Sequence, residues 1–193
     1  LSYNVRKFNV FTDWVYIGDD FRSDLGFIRR TDIFKVATGF GLNYYPKSGS
    51  INTHGVEFFN VITWKPDLDF KNTDYSTNLS WQANFKDQTE IGIGISNKYT
   101  FLNDSFDPTS TDGGIPIPGN RDYKYTSVEL NYESDRRKKV SYSLNPEYGE
   151  FFSGQKFSLS TRLSIRIQPK ALLSLNVNYD AITLPNPHPS AEF

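Results

Sequence analysis

A membrane-spanning antiparallel β-barrel is the fold class this sequence predicts, and three observations predict it. Segments of about ten residues alternate between apolar and polar side chains along most of the chain, with no 3.6-residue period competing. The face opposite the apolar one carries Gly, Ser, Asn and charge, as a strand between lipid and a wet lumen requires. The connections also alternate in kind, with long charged or Pro/Gly-rich loops at one end and tight turns mostly at the other. The clearest copy of the pattern is 89–102, TEIGIGISNKYTFL. There Ile91, Ile93, Ile95, Tyr99 and Phe101 share one face, and Glu90, Gly92, Gly94, Ser96, Lys98 and Thr100 the other. A sandwich strand alternates too, but rarely places Lys, Glu and Gly so consistently opposite its buried side.

In chain order, 1–17 reads as a strand with imperfect alternation, carrying Val5, Phe8, Val10, Trp14 and Tyr16. The charged loop 18–30 (GDDFRSDLGFIRR) follows. Segment 32–45 sets Phe34, Val36, Phe40, Leu42 and Tyr44 against Lys35, Ala37, Gly39, Gly41 and Asn43. A Gly/Ser turn occupies 46–54. Segment 55–65 is a weaker strand, with Phe58, Ile62 and Trp64 outward. In 73–86, Tyr75, Leu79, Trp81, Ala83 and Phe85 oppose Asp74, Ser76, Asn78, Ser80, Gln82 and Asn84. A short turn at 87–88 leads into 89–102. The loop 103–122 is far above hairpin length. Strands follow at 123–133 (Val128, Leu130 and Tyr132 outward), 140–148, 157–168 and 171–180, joined by turns at 135–139, 151–156 and 169–170. In 157–168, Phe157, Leu159, Leu163, Ile165 and Ile167 face away from Ser158, Ser160, Arg162, Ser164, Arg166 and Gln168. The prolines of 184–190 (LPNPHPS) remove ladder donors and exclude a central strand there.

The expectation is therefore about nine strands of membrane-spanning length within one unit, residues 1–193. Single-chain bacterial barrels have even strand counts, and an open edge in lipid leaves unpaired N–H and C=O groups. An odd count thus predicts a partial segment of a larger barrel. Composition agrees with this class. Only 37% of residues are apolar, and no run approaches the 18 apolar residues of a transmembrane helix, yet 16% are aromatic, as interfacial girdles demand. The net charge of −1 argues against a nucleic-acid footprint, and the absence of Cys removes disulfides and thiolate metal sites. No cofactor is expected.

Two groups of charged residues are candidate sites. In the first loop, Asp19, Asp20, Arg22, Asp24, Arg29 and Arg30 offer carboxylates for a hard cation and guanidiniums for an anionic sugar or phosphate. The spacing matches no calcium loop, and a loop folded by its own salt bridges is the favoured reading. On the polar strand faces, Glu90, Lys98, Glu129, Arg162 and Arg166 are expected to line the lumen. Arg162 and Arg166 lie about 13 Å apart at strand rise. They would either line an anion path or, the favoured reading, join an ion-pair network with Glu129, Glu90 and Lys98. His54 and His188 read as solvated loop residues, and no GxSxG or HExxH motif accompanies them. No catalytic or metal-ligating residue is expected. The alternating Gly39, Gly41, Gly92 and Gly94 are not a phosphate loop; within strands they permit bending or close packing of the wall.

The segment 18–32, GDDFRSDLGFIRRTD, with the alternating strand and SGSINTHG turn after it, resembles an uncharacterised family of Bacteroidetes outer-membrane β-barrels, the DUF5916-like barrel domain. The matching residues are Asp20, Phe21, Arg22, Gly26, Phe27, Arg29 and Arg30. The resemblance implies a barrel that follows an N-terminal carbohydrate-binding-like module. It implies no catalytic residue. The functional expectation is a bacterial outer-membrane barrel acting as anchor or pore that serves a glycan-handling module or surface complex. Outer-membrane lipid, other outer-membrane or surface proteins and a glycan are the expected partners, and nucleic acid is not. Two alternatives differ in class. A barrel hydrolase would need a nucleophile, base and acid at one rim. A soluble all-β binding domain would bury the apolar face against a second sheet.

Overall fold

The computed structural model describes residues 1–22 and 30–193. Among these, eleven strands form one antiparallel sheet in which each pairs with its neighbours in sequence. They are β1 (Ser2–Val5), β2 (Phe8–Ile17), β3 (Ile33–Tyr44), β4 (Ile51–Lys65), β5 (Lys71–Phe85), β6 (Glu90–Leu102), β7 (Arg121–Glu133), β8 (Val140–Phe151), β9 (Gly154–Ile167), β10 (Ala171–Thr183) and β11 (Ala191–Glu192). The sheet is open: β1 and β11 are its edges and do not pair with each other. Among the described residues, no helix is long and apolar enough to cross a membrane; that test does not address strands.

Eleven strands replace the nine expected, for two local reasons. The imperfect alternation of 1–17 marks a hairpin: the chain reverses at Arg6–Lys7, so that Val5 faces Phe8 across the ladder. Tyr45 fixes this turn, donating its hydroxyl to the Arg6 carbonyl at 2.9 Å under the Arg6 guanidinium, 4.5 Å from the ring centre. At the other end, 184–190 stays out of the sheet as its prolines require, and β11 then returns to pair Ala191 with Ile182. Strand ends also reach further than the apolar pattern does. Phe151 pairs with Gly154, leaving a hairpin loop of only Phe152 and Ser153, and β4 begins at Ile51.

Pairing puts the turns at β1–β2, β3–β4, β5–β6, β7–β8 and β9–β10 at one end of the sheet, called the turn end. The long connections 18–32, 103–120 and 184–190 meet at the other, the loop end. Register also fixes the faces. On the first, Phe40, Phe58 and Leu79 lie opposite one another in turn. Further along, Ile93–Leu130 and Leu175–Leu163 pairs continue the same face. Aromatic neighbours close over it, with Phe34–Trp64 ring centres 5.8 Å apart and Tyr75–Tyr99 stacked at 5.4 Å, each adding a few tenths to about 1 kcal/mol. His54 belongs to this face. It lies on β4 between Tyr44 and Trp81, at 5.1 and 6.2 Å, which corrects the loop placement expected for it. No second layer covers the face among the described residues, and its side chains stand in the open: Leu175 is 61% exposed and Ile93 48%.

The buried core lies on the opposite, polar face, at the loop end. Ile117 is fully buried, with Tyr123, Ile182 and Leu184 nearly so, and Leu102, Tyr125, Phe151 and Phe152 pack against them. Tyr123, Tyr125, Phe151, Leu102 and Ile182 occupy strand positions of polar-face parity. There they receive the loop 103–120, which brings Ile117 down through a bridge with Phe106. His188 ties the two long connections together by donating Nδ1–H to the Ile115 carbonyl at 3.0 Å. The polar face is thus capped at one end.

Candidate functional site on the polar face

Below this cap the polar face forms a hollow of about 470 Å³. Its sides are Ser80 and Gln82 from β5, Glu129 and Asn131 from β7, Asn145 and Glu147 from β8, and Ser158 and Ser160 from β9, with Gly92 and Gly94 of β6 as floor. A Cβ at Gly94 would lie 2.6 Å from a Glu129 carboxylate oxygen, so glycine leaves the room into which Glu129 folds. The amides form their own row. Asn131 donates to Asn145 at 2.5 Å, and Ser160 bonds Asn178 at 2.9 Å. Glu129 and Glu147 face one another across the ladder. Ser127 donates to Glu147 at 2.7 Å, while Glu129 has no cation within ion-pair distance among the described residues. Like charges directly opposite are unfavourable unless water or a ligand separates them. No group of three His, Cys, Asp or Glu able to hold a metal occurs among the described residues.

The residues expected to line the lumen do share this face, but they do not form the ion-pair network favoured for them. Glu90 accepts from Gln82 at 3.2 Å. Arg162 donates Nε–H to Asn176 at 2.7 Å, and Arg166 reaches the Arg136 carbonyl at 3.2 Å. Lys98 lines a smaller cavity of about 130 Å³ with Tyr125, Glu147 and Lys156. No acid stands opposite either arginine: Asn176 and Ser143 flank Arg162 across the ladder, and Leu172 stands opposite Arg166. Among the ion pairs on this face, Lys156 with Asp180 at 3.2 Å lies nearby and involves neither arginine.

The described residues of the first-loop cluster do not come together. Asp24 and Arg29 lie outside the described residues. Asp19 accepts the Asp20 amide at 2.9 Å, and Arg22 is exposed. Arg30 leaves the loop altogether to pair with Asp74 on β5, whose second oxygen accepts the Thr100 hydroxyl at 2.6 Å. Asp74 and Thr100, on the polar face at the loop end, are anchor residues that the loop's own charge pattern does not reveal. The signal for the cap was present: Leu102, Tyr123 and Tyr125 break the polar parity of their strands near a single end.

The long loop carries its own hydrogen-bonded turn. Asp107 accepts from the Thr109 hydroxyl (2.6 Å) and amide (2.8 Å) and from the Thr111 amide (3.0 Å), and Thr109 is 2% exposed. The Thr109 hydroxyl and these amides hold the Asp107 carboxyl below the usual carboxylate range. The sign follows directly. A depressed folded-state pKa contributes stability above the unfolded value of 3.8, and that contribution is lost as pH falls through the lower folded value. Acidification below about pH 4 is expected to loosen 103–120, read as faster amide exchange at Thr109 and Thr111. Asp107→Asn should show the loosened loop already at pH 7.

Comparison with known proteins gives one match. The profile of a family described as a domain of unknown function, DUF5916, covers residues 4–185. No curated protein and no solved structure matches. With nearly its whole length covered, the chain belongs to the DUF5916 family.

Proposed function

We propose that this sheet is wall of a bacterial outer-membrane β-barrel, serving as an anchor or pore, with its apolar face on lipid and its polar face on a wet interior. One observation carries the reading: a continuous face of Leu, Ile, Val and aromatic side chains stands uncovered across β2 to β10, while the hollow, most of the strand charges and, among the described residues, the buried cluster lie on the other side. Soluble monomers rarely expose contiguous apolar patches beyond a few hundred Å². The polarity is the inverse of a soluble sandwich, which would hide this face and wet the other. The long connections then correspond to the outer loops and the short turns to the periplasmic side. A glycan-handling or surface partner would be served from the capped loop end.

The test compares the two faces at one depth on neighbouring ladder positions. Leu175→Arg places a charge on the apolar face of β10, and Ser174→Arg places it on the polar face one residue away. In a vesicle-inserted protein the first should cost about 2–4 kcal/mol, as for Arg near a bilayer midplane, and the second close to nothing. Equal costs, or a folded Leu175→Arg protein that is simply more soluble, would contradict the membrane reading.

A further inference from the structure

The apolar face carries a polar seam, and the seam is a single hydrogen-bonding row. Thr12, Thr38, Asn60, Thr77, Asn97 and Thr126 are successive ladder partners from β2 to β7. Glu150 continues the row by accepting the Thr126 amide at 3.0 Å, and Gln155 and Thr183 complete it on β9 and β10. Two of the neighbouring pairs are joined through their side chains: Asn60 donates to Thr77 at 2.6 Å and Asn97 to Thr126 at 2.9 Å.

The apolar band does not run parallel to this row. On the turn-end side of the seam β2 has two outward apolar positions, Val10 and Phe8, and β10 has six, from Ala181 to Ala171. The strands between rise unevenly, with four on β5, three on β6 and β7 and five on β8. On the loop-end side the band lasts through Tyr99 and Phe101 of β6 and ends at β7. Trp14 and Tyr16 on β2, and Ile62 and Trp64 on β4, give way to Lys124 and Asp122 on β7. Four outward positions are eight residues, or about 27 Å of strand, gained over eight strand spacings of about 38 Å. That ratio is the tangent of about 35°, within the tilt range of transmembrane barrel strands.

Building on the membrane reading, we infer that the bilayer meets this face at about 35° to its hydrogen-bonding rows. The seam then lies near mid-bilayer on β2 to β4 and climbs to the loop-side headgroups on β9 and β10. Asn60 with Thr77 and Asn97 with Thr126 are paired where lipid gives the amides no other partner, and Glu150 and Gln155 sit where the row reaches water. A soluble domain has no reason to slide its apolar band by one residue per strand.

The chain has no cysteine, so single-cysteine labels report one site each. Nitroxide labels would be placed at Thr38→Cys, at Gln155→Cys in the same row, and at Thr161→Cys, six residues nearer the turn end of β9, in protein reconstituted in phosphatidylcholine vesicles. Oxygen and nickel-chelate accessibility should place Thr38 and Thr161 at one depth in lipid and Gln155 about 15 Å shallower, near the headgroups. Thr38 and Gln155 at equal depth, with Thr161 displaced, would overturn the slant and leave the membrane reading standing. Labels that see no lipid at all three sites would overturn both.

Discussion

Ile117→Ala is expected to open the cap at the loop end. The side chain is fully buried between Tyr123, Ile182 and Leu184. Removing it leaves a cavity among Tyr123, Ile182 and Leu184 that packed neighbours close only in part. Large-to-alanine changes at such sites cost about 2–5 kcal/mol, and the rigid floor places this one near the middle. The sheet has its own ladder, so the loss should appear locally. Amide exchange across 103–120 and 184–190 is expected to accelerate by about two powers of ten, while β4 to β6 keep their protection. The His188 bond to the Ile115 carbonyl should be lost with it. Unchanged protection in 103–120 would mean that the loop is held by its own Asp107 turn rather than by burial.

Gly154→Ala is expected to cost about 3 kcal/mol for a different reason. A Cβ at this position would lie 2.0 Å from the Thr183 carbonyl oxygen and 3.0 Å from the Leu184 Cα, both backbone. No rotamer relieves such a contact, so β9 and β10 must part at the end where Ile182 and Leu184 enter the cap. Gly18→Ala is the control, because its nearest neighbours are Tyr16 ring atoms at 4.0 Å. Urea midpoints in one detergent should separate the two variants clearly, and a Gly154→Ala protein as stable as Gly18→Ala would refute the close approach.

The sheet was legible in the sequence because its driving pattern is local. Period-two alternation in 89–102 and 157–168 needs no partner to be read, and each became a strand with the expected faces. Short elements were harder. β1 and β11 have four and two residues, too few for a period to emerge, and are defined by what they pair with. His54 looked like a loop residue because the Gly and Ser before it suggest a turn, yet the β4 ladder with β5 extends to Ile51. Charge was the least legible. Opposite signs in 18–30 suggested mutual pairing, but Arg30 finds Asp74, 44 residues away, and Arg162 finds an amide. Side-chain partners across a sheet depend on register, which the sequence specifies only through the faces it must hide.

Detergent dependence of the folded state, read together with heat-modifiable migration on a gel, tests the apolar face most directly. An uncovered sheet of Leu, Ile and Val is predicted to remain folded and monodisperse only in detergent or bilayer. Unheated and boiled samples should then run at different positions, as expected for a sheet that mild detergent leaves intact. A protein that stays folded and monodisperse in detergent-free buffer, with one gel position before and after boiling, would contradict the membrane assignment.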